Sequence, residues 1–254
     1  MMQTEWLPYE NWVQDGAEAE MVALILESGR ISRHSHVLEL GCGLGHLSGE
    51  LARASGAKVH AVEVSHILLE KAKAVEPDVV FMQGSGLSIP FQDTLFDVVI
   101  IHQTGLHFNA LQKVLSGAAR ILNTDGRLLI LAQTHEQMLG RITSRYFPSL
   151  AAEDFLQYPD AAMLADQAAD AGFVACGARV FGDGFISMNQ PFLRQIRSFG
   201  HAMLHRIGCL EYAEGLMRLE EDYYGHPYGH HHAGCTLTVL VKEMEACLPL
   251  SKTA

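Results

Sequence analysis

The segment VLELGCGLGHLS, residues 37–48, contains the local pattern that decides the fold. A short apolar run with strand character leads directly into Gly41, Gly43 and Gly45, and a helical pattern begins immediately afterwards. Glycine lets the backbone turn tightly and come close to a ligand, and the first turn of a helix offers unpaired N–H groups. The segment therefore predicts a strand, a loop that binds a nucleotide-like ligand, and a helix in direct succession.

Two carboxylates indicate which ligand the loop binds. A dinucleotide fingerprint, G-x-G-x-x-G, would need a third glycine where this chain has His46. Glu39, inside the strand, would repel a pyrophosphate but can hold an ammonium group, directly or through water. Glu63 ends the second predicted strand, where a carboxylate can accept both hydroxyls of a ribose, and Val64 beside it can lie against an adenine ring. These positions favour S-adenosylmethionine over a dinucleotide.

Outward from the loop, β-branched apolar runs alternate with helical patterns. The predicted strands are 36–41, 57–63, 79–83, 96–102 and 127–133, and the predicted helices between them are 45–55, 65–76 and 109–122. Ser65 is a plausible N-cap of the second helix, which Pro77 would stop. Alternating strands and helices predict parallel strands joined by right-handed crossovers, with helices on both faces of the sheet. The predicted fold class is therefore α/β, with a doubly wound sheet.

In the second half of the chain the regular alternation of strands and helices ends, and the order of predicted elements indicates an inserted helical lid. A helix is predicted over 160–172 and strands over 173–181 and 234–242, with helical spacing at 191–206 and 209–224 between those strands. The apolar residues of this insertion are predicted to form its own core, with adaptation to a hydrophobic acceptor as the alternative: Met203, Leu204, Ile207, Leu210, Leu216, Met217 and Leu219. The expected divisions are a helical cap (1–34), a cofactor-binding core (35–181), a helical insertion (182–233), a closing strand (234–242) and a tail (243–254).

Composition narrows the class of partner. The 254 residues carry a formal charge of −11 and are 48% hydrophobic, which suits one elaborated α/β domain or two small ones. An acidic chain disfavours binding to nucleic acid or to an anionic membrane, so we expect a small-molecule partner. No apolar stretch approaches the ~20 residues that cross a bilayer, the first residues do not resemble a secretory signal, and the five cysteines lack a CxxC pair. We expect a soluble, cytoplasmic protein.

Five segments in register resemble the motifs of class I S-adenosylmethionine-dependent methyltransferases. They are VLELGCGLGHLS (37–48), VHAVEVSHILLEKA (59–72), MQGSGLSIPFQDTLFDVVI (82–100), ARILNTDGRLLIL (119–131) and AGFVACGARV (171–180), and together they extend over most of 35–181. The resemblance implies a Rossmann-like methyltransferase fold, a doubly wound, mostly parallel sheet of seven strands. In that fold the last strand is antiparallel and lies between the fifth and the sixth.

The resemblance also assigns cofactor-binding positions, with S-adenosylhomocysteine as the product. It places five residues around the methionine part of the cofactor: Glu39, Gly41, Cys42, Gly43 and Gly45. Glu63 would hold the ribose, Val64 would touch adenine, and His102 and Gln103 would offer backbone groups. Where the family often has Gly-Asp, this chain has Gly84-Ser85-Gly86. Serine accepts a hydrogen bond without a charge, so we expect binding that is retained but weaker at the adenine amino group.

The acceptor side of the site carries fewer signals. Methylating members of the family that act on nucleic acid or protein glutamine commonly show Asn/Asp-Pro-Pro-Tyr/Phe after the fourth strand, and its absence here favours methyl transfer to O, N or S of a small molecule. His107 is the candidate base, with the start of helix 107–122 as the alternative role. Tyr9 and Trp12, and separately Tyr223 and Tyr224, are candidate substrate contacts, and ordinary packing is the alternative for each pair.

Three further questions stay open in the sequence. The histidines of the insertion include His201 and His205 at i,i+4 spacing and the run His230–His232, but without an H-E-x-x-H motif or a cysteine pair we expect no functional metal. Competing functions are a cofactor-binding sensor or assembly subunit without transfer activity and, less favoured, a nucleotide-dependent oxidoreductase. Either a monomer or a homodimer is compatible with the sequence.

Overall fold

The computed structural model describes residues 17–102, 110–187, 190–198, 202–225 and 230–243. The strands within these ranges are β1 His36–Leu40, β2 Lys58–Glu63, β3 Val80–Gln83, β4 Phe96–His102, β5 Leu122–Ala132, β6 Phe173–Ser187 and β7 His230–Lys242. The helices are α1 Ala17–Gly29, α2 His46–Ser55, α3 His66–Val75, α4 Leu111–Ile121, α5 His135–Leu139, α6 Ile142–Tyr146, α7 Ser149–Gln157, α8 Ala161–Asp170, α9 Gln190–Arg197 and α10 Cys209–Gly225, with a 3₁₀ turn over Ala202–Arg206.

The strands form one seven-stranded sheet in the order β3-β2-β1-β4-β5-β7-β6. The pairs β1–β2, β1–β4, β2–β3 and β4–β5 are all parallel, with Glu39 of β1 opposite Ala61 of β2 and Ile100 of β4. The strand order reverses between β1 and β4, which makes this the topological switch point of a doubly wound sheet. The predicted fold class is therefore confirmed.

The last strand runs antiparallel to β5. At one end of β7, the Gln133 side chain donates to the Gly234 carbonyl oxygen at 2.9 Å. At the other end, the Lys242 ammonium donates to the Leu122 carbonyl oxygen at 2.8 Å. The C-terminal end of β5 thus lies beside the N-terminal part of β7, and the N-terminal end of β5 lies beside the C-terminal end of β7. The two strands therefore point in opposite directions. The sheet is thus mixed, and β7 lies between β5 and β6.

One compact unit, comprising the described residues within 25–131, 162–178 and 238–243, contains β1 to β4 and β5 up to Leu131. Successive residues of its central strands are fully buried, as in Val37 and Leu38 of β1 and Val99 and Ile100 of β4. Neighbouring strand residues point to opposite faces, so burial of both shows that each face of the sheet is covered. Ser65 caps α3 by accepting a hydrogen bond from the Leu68 N–H, as the sequence predicted.

A second compact unit comprises 17–24, 132–161 and 179–237 within the described chain and has a core of its own. That core is formed by Ile142, Tyr146, Phe147, Leu150, Phe192, Leu193, Ile196, Leu204 and Leu219. Beside it, the buried carboxylate of Asp154 binds Arg141 at 2.5 Å and Arg206 at 2.7 Å. These two ion pairs connect α7 to Arg141, just before α6, and to Arg206 in the 3₁₀ turn. Removing either arginine would leave the buried charge of Asp154 poorly compensated.

Several expected boundaries need correction. β6 continues to Ser187 and β7 begins at His230, so strand structure extends into both ends of the segment 182–233 that was expected to be helical. β5 begins at Leu122 instead of 127, because Leu122 already pairs with Phe96 of β4. The register then shifts, and regular pairing resumes with Val98 opposite Arg127. The expected core stripe of the insertion is also partly wrong: Leu210 and Met217 are 71% and 70% exposed.

No helix in the ranges that the structure describes is long and apolar enough to cross a membrane. The four cysteines within those ranges, Cys42, Cys176, Cys209 and Cys235, are free thiols. The expected cytoplasmic location stays a prediction.

Asp97 joins the starts of three strands, and its removal should destabilise the sheet. One carboxylate oxygen accepts from the His36 N–H and the other from the Asn123 side-chain amide, both at 2.8 Å. Asp97→Ala should lower the free energy of unfolding by about 1–3 kcal/mol in urea denaturation. Asp93→Ala is the control, because Asp93 is 69% exposed in its ion pair with Arg120 and should change stability by less than about 1 kcal/mol. Equal effects of the two substitutions would contradict this role of Asp97.

His60 should make the fold sensitive to acid. Its buried ring packs edge-on against Phe91 and Phe96, and its Nδ1 atom has no hydrogen-bond partner within the described residues. Burial lowers the pKa of His60 below its ordinary value, and the charges of Lys58 and His36 lower it further. The unfolded chain therefore binds a proton more readily, so stability is complete above pH about 6.5 and falls as the pH drops below it.

Thermal denaturation between pH 7.5 and pH 5 checks this expectation. His60→Phe keeps the aromatic packing and removes the titrating group, so its melting temperature should fall less with acid than that of the unmodified protein. Part of the slope should remain, because burial lowers the pKa of His102 to about 4 and this second histidine acts in the same direction. Parallel melting curves for the two proteins across this range would exclude a contribution from His60.

Candidate functional site

A cleft of about 240 Å³ opens at the carboxyl ends of the parallel strands, beside the switch point between β1 and β4. Doubly wound sheets bind their ligands in this position. The cleft is lined by Leu40, Gly41, Val62, Glu63, Val64, Gly84, Ser85, Gly86, Leu87, Ile101, Ala110 and Val114. Its walls are thus largely aliphatic, with one carboxylate and one hydroxyl among them.

The glycine loop between β1 and α2 reaches this cleft at Gly41, whereas Cys42, Gly43 and Gly45 are not among the lining residues. Its N–H groups at Gly41 and Cys42 donate to the Val62 carbonyl oxygen of β2 at 2.7 and 3.1 Å, which fixes the turn against the neighbouring strand. Gly45 has φ of 79°, and a Cβ atom there would lie 2.7 Å from the Phe81 ring of β3. Only glycine satisfies both constraints, so Gly45 allows α2 to begin in contact with the sheet.

Glu63 faces the loop at the end of β2. Its carboxylate is buried and accepts hydrogen bonds from the Gly43 N–H at 3.0 Å and the Ser65 N–H at 2.8 Å. Two backbone donors hold the side chain in one orientation, between the glycine loop and the start of α3. The structure therefore brings together, in one cleft, the loop and the carboxylate that the sequence identified separately.

Glu39 lies on β1 just before the glycine loop, and Cys42 lies within the loop. Glu39 is buried on β1 and accepts a hydrogen bond from the Ser48 hydroxyl of α2. Burial raises the pKa of the Cys42 thiol well above its ordinary value, and the charges of Glu39 and Glu63 raise it further. Because the thiolate is the reactive form, the raised pKa disfavours Cys42 as a nucleophile.

The segment after β3 forms the opposite side of the cleft. Gly84, Ser85 and Gly86 all line it, and the Ser85 hydroxyl oxygen accepts from the Leu87 N–H at 3.2 Å. One lone pair of this oxygen is thereby used within the turn, and one is left to accept from a ligand. Val64 lines the same space with 68% of its surface exposed, which leaves an apolar face open at the cleft.

Several residues that line the cleft were not predicted from the sequence. Ala110 and Val114 come from the start of α4, one helical turn apart, and Leu87 comes from the turn after β3. The i,i+4 spacing of Ala110 and Val114 signals a shared helix face but does not indicate that this face meets the cleft. Ile101 has the same ambiguity, because it lies in a run of four apolar residues, 98–101, in a strand that is buried on both faces.

The remaining predicted site residues are placed as follows. His102 ends β4, is half-buried and carries a neutral imidazole at neutral pH, because burial lowers its pKa to about 4. Gln103, His107, Tyr9 and Trp12 lie outside the described residues.

Tyr223 and Tyr224 both belong to the second compact unit. Tyr223 packs against the core of that unit, and the Tyr224 hydroxyl accepts a hydrogen bond from Arg197 at 3.1 Å. Their role in binding an acceptor stays a prediction.

A metal site was not expected, and the part of the chain that the structure covers contains no group of three or more His, Cys, Asp or Glu side chains placed to hold an ion. His201 and the side chains of His230–His232 lie outside that part. The expectation of no functional metal therefore stays a prediction.

Sequence comparison identifies related proteins. Residues 38–130 match the family model described as a methyltransferase domain. The chain is 32% identical over 121 residues to the uncharacterized methyltransferase YcgJ of Bacillus subtilis (strain 168), covering 45% of this chain and 47% of the relative. It is 28% identical over 180 residues to a demethylmenaquinone methyltransferase of Lactococcus lactis, covering 59% of this chain and 70% of that protein. The chain thus spans about half the length of the Bacillus relative.

Structural comparison extends the likeness to more of the chain. The crystal structure of Bacillus YcgJ superposes with a TM-score of 0.61 at 16% identity, covering 89% of this chain and 99% of that one. A geranyl diphosphate methyltransferase solved in complex with SAM superposes with a TM-score of 0.56 at 15% identity, covering 89% of this chain and 85% of that one. At such identities the superpositions establish the shared fold. With the match over residues 38–130 to a methyltransferase domain, they support the class I S-adenosylmethionine-dependent methyltransferase family for this chain.

Proposed function

We propose that this protein transfers a methyl group from S-adenosylmethionine to an oxygen, nitrogen or sulfur atom of a small-molecule acceptor. One observation carries the proposal: the Glu63 carboxylate lies 3.0 Å from the Gly43 N–H, so the glycine loop and the proposed ribose acceptor border one cleft. A single nucleoside with an amino-acid end can contact both.

The cleft residues fit the adenosine half of this cofactor. Val62, Val64 and Leu87 provide aliphatic surface for a purine ring. Glu63 uses one lone pair of each carboxylate oxygen on the Gly43 and Ser65 N–H groups, which leaves acceptor capacity for the two ribose hydroxyls. Ser85 would accept from the adenine amino group. Because its hydroxyl is neutral, we expect this hydrogen bond to be weaker than one to a carboxylate.

The loop residues fit the amino-acid half. Because the N-cap residue of α2 is Gly45, no N-cap side chain occupies the first N–H groups of this helix. Those N–H groups and the helix dipole favour binding of a carboxylate. Gly41, Cys42 and Gly43 would surround the methionine part, with Glu39 attracting the ammonium group. His102 and Gln103 would contribute backbone groups from the end of β4. When bound, S-adenosylmethionine supplies a methyl group activated by its positively charged sulfur.

The protein's own part in transfer is positioning. Orientation of the reacting groups can contribute about 7–11 kcal/mol in favourable cases, and no protein nucleophile is required. His102 is a poor candidate base, because an imidazole with a pKa of about 4 has little affinity for a proton near neutrality. We therefore propose His107 as the base for acceptors that lose a proton, with Tyr9, Trp12, Tyr223 and Tyr224 as acceptor contacts.

The nature of the acceptor is supported by two independent considerations. The Lactococcus relative and the superposed geranyl diphosphate enzyme are named for small organic substrates. The formal charge of −11 also disfavours binding to nucleic acid or to an anionic membrane surface. We accordingly include neither nucleic acid nor membrane in the proposal, and we place the enzyme in the cytoplasm as a monomer or homodimer.

Glu63→Ala should weaken cofactor binding without unfolding the protein. Loss of hydrogen bonds to a charged acceptor should raise the dissociation constant for S-adenosylhomocysteine by about tenfold to a hundredfold in isothermal titration calorimetry. Glu63→Gln keeps one acceptor oxygen and should give an intermediate value.

Glu70→Ala is the matched control for this measurement. Glu70 is an exposed carboxylate on nearby α3 that pairs with Lys73 at 3.0 Å, so its removal should leave affinity unchanged. Thermal melts establish that each variant is folded. A folded Glu63→Ala protein that binds S-adenosylhomocysteine as tightly as the unmodified protein would overturn the proposed ribose contact.

Methyl transfer itself is tested by incubating the protein with S-adenosylmethionine and a panel of phenols, amines and thiols. We expect acceptor-dependent formation of S-adenosylhomocysteine with at least one class, and its loss in Glu63→Ala at a subsaturating cofactor concentration. Tight cofactor binding with no product across the panel would contradict transfer and favour the sensor or assembly subunit instead.

A further inference from the structure

We propose that Ser48 is a positioning residue, whose hydroxyl holds the Glu39 carboxylate in place for the amino-acid end of the cofactor. The inference rests on the proposed function and assigns a role to a residue that the glycine motif does not include. It follows from one hydrogen bond, from the burial of both side chains and from the place of each in the fold.

The hydrogen bond joins the two elements on either side of the glycine loop. Glu39 lies on β1, two residues before Gly41, and Ser48 lies in the first turn of α2, three residues after Gly45. The Ser48 hydroxyl donates to Glu39 Oε2. Because the bond spans the loop, it fixes the distance between the end of the strand and the start of the helix while the loop residues between them stay available to a ligand.

Both side chains of this hydrogen bond are buried, so water cannot readily replace the Ser48 hydroxyl as a donor to Glu39. Glu39 is 2% exposed and Ser48 is completely buried. A carboxylate removed from water needs hydrogen-bond donors to remain ionised and in one rotamer, and a donor that is itself buried cannot be replaced readily by solvent. Loss of the Ser48 hydroxyl should therefore change the orientation and charge of Glu39 more than loss of a surface hydroxyl would.

The position of Glu39 indicates which end of the cofactor it serves. Glu63 lines the aliphatic cleft that suits adenosine, whereas Glu39 is not among the residues lining that cleft. Both charges nevertheless raise the pKa of the Cys42 thiol in the loop, so the two carboxylates act on the same loop. Because the proposed function assigns Glu63 to the ribose, we assign the negative charge of Glu39 to the positively charged ammonium group.

A matched control exists on the same helix. The Ser55 hydroxyl, at the last residue of α2, donates to the Leu51 carbonyl oxygen at 2.5 Å and accepts from the Ala57 N–H at 3.1 Å, so both of these partners are backbone groups. Ser48→Ala and Ser55→Ala remove the same atom from the same helix. Only the first of them removes a donor from Glu39.

The experiment compares two ligands that differ in the amino-acid end. S-adenosylhomocysteine has it, and 5′-methylthioadenosine keeps the adenosine and the sulfur without it. Titration calorimetry with both ligands is carried out on the unmodified chain, Ser48→Ala, Ser55→Ala, Glu39→Gln and the double variant Ser48→Ala/Glu39→Gln. Ser48→Cys, which keeps a weak donor at the same position, is included in case Ser48→Ala does not fold.

We expect Ser48→Ala to weaken S-adenosylhomocysteine binding by about tenfold and to leave 5′-methylthioadenosine binding unchanged. Ser55→Ala should bind both ligands normally. The double variant should bind no more weakly than Glu39→Gln alone, because a positioning residue has no effect once the group that it positions is gone. Ser48→Cys should lie between Ser48→Ala and the unmodified protein.

These measurements distinguish a failure of the proposed function from a failure of the positioning role of Ser48. If the unmodified protein does not bind S-adenosylhomocysteine, the proposed function itself is wrong. If it binds but Ser48→Ala, or Ser48→Cys in its place, keeps full affinity, the positioning role is wrong and the proposed function stands. An equal loss of affinity for both ligands would also overturn the inference, because it would show a general structural role for Ser48.

Discussion

The organisation of this protein depends on the hydrogen bonds that the Glu63 carboxylate accepts from the Gly43 and Ser65 N–H groups. These two bonds connect the end of β2 to the loop after β1 and to the start of α3. An acidic side chain buried at such a junction must be satisfied by its surroundings, and here the backbone supplies the donors. The loop, the second crossover and the ligand-binding carboxylate are therefore positioned by one shared arrangement.

The two compact units use different physical means of stabilisation. The unit built on β1 to β5 relies on consecutive buried aliphatic residues, which require helices on both faces of the sheet. The unit built on α5 to α7, α9 and α10 combines an aromatic and aliphatic core with the buried pairs of Asp154 to Arg141 and Arg206. Ion pairs of this kind demand particular partners, whereas aliphatic packing tolerates exchange of one residue for another.

The sequence predicted features whose cause is local and missed those whose cause is distant. The glycine loop, the Ser65 cap and Glu63 are readable because each depends on neighbours within a few residues of a strand end. Val114 was not predicted to line the cleft, and Leu210 and Met217 were wrongly assigned to a core. Helical spacing reveals which residues share a face of a helix, but the element that covers this face is set by tertiary packing.

The place of β7 in the sheet has a consequence for biosynthesis. β6 is an edge strand whose neighbour in the sheet is β7, and that neighbour is made from residues 230–242. During translation β1 to β5 can associate as soon as they leave the ribosome, whereas β6 emerges some forty residues ahead of the strand that separates it from β5. Completion of the described sheet is therefore tied to the synthesis of β7, and nascent chains interrupted before it would leave β5 with an open edge.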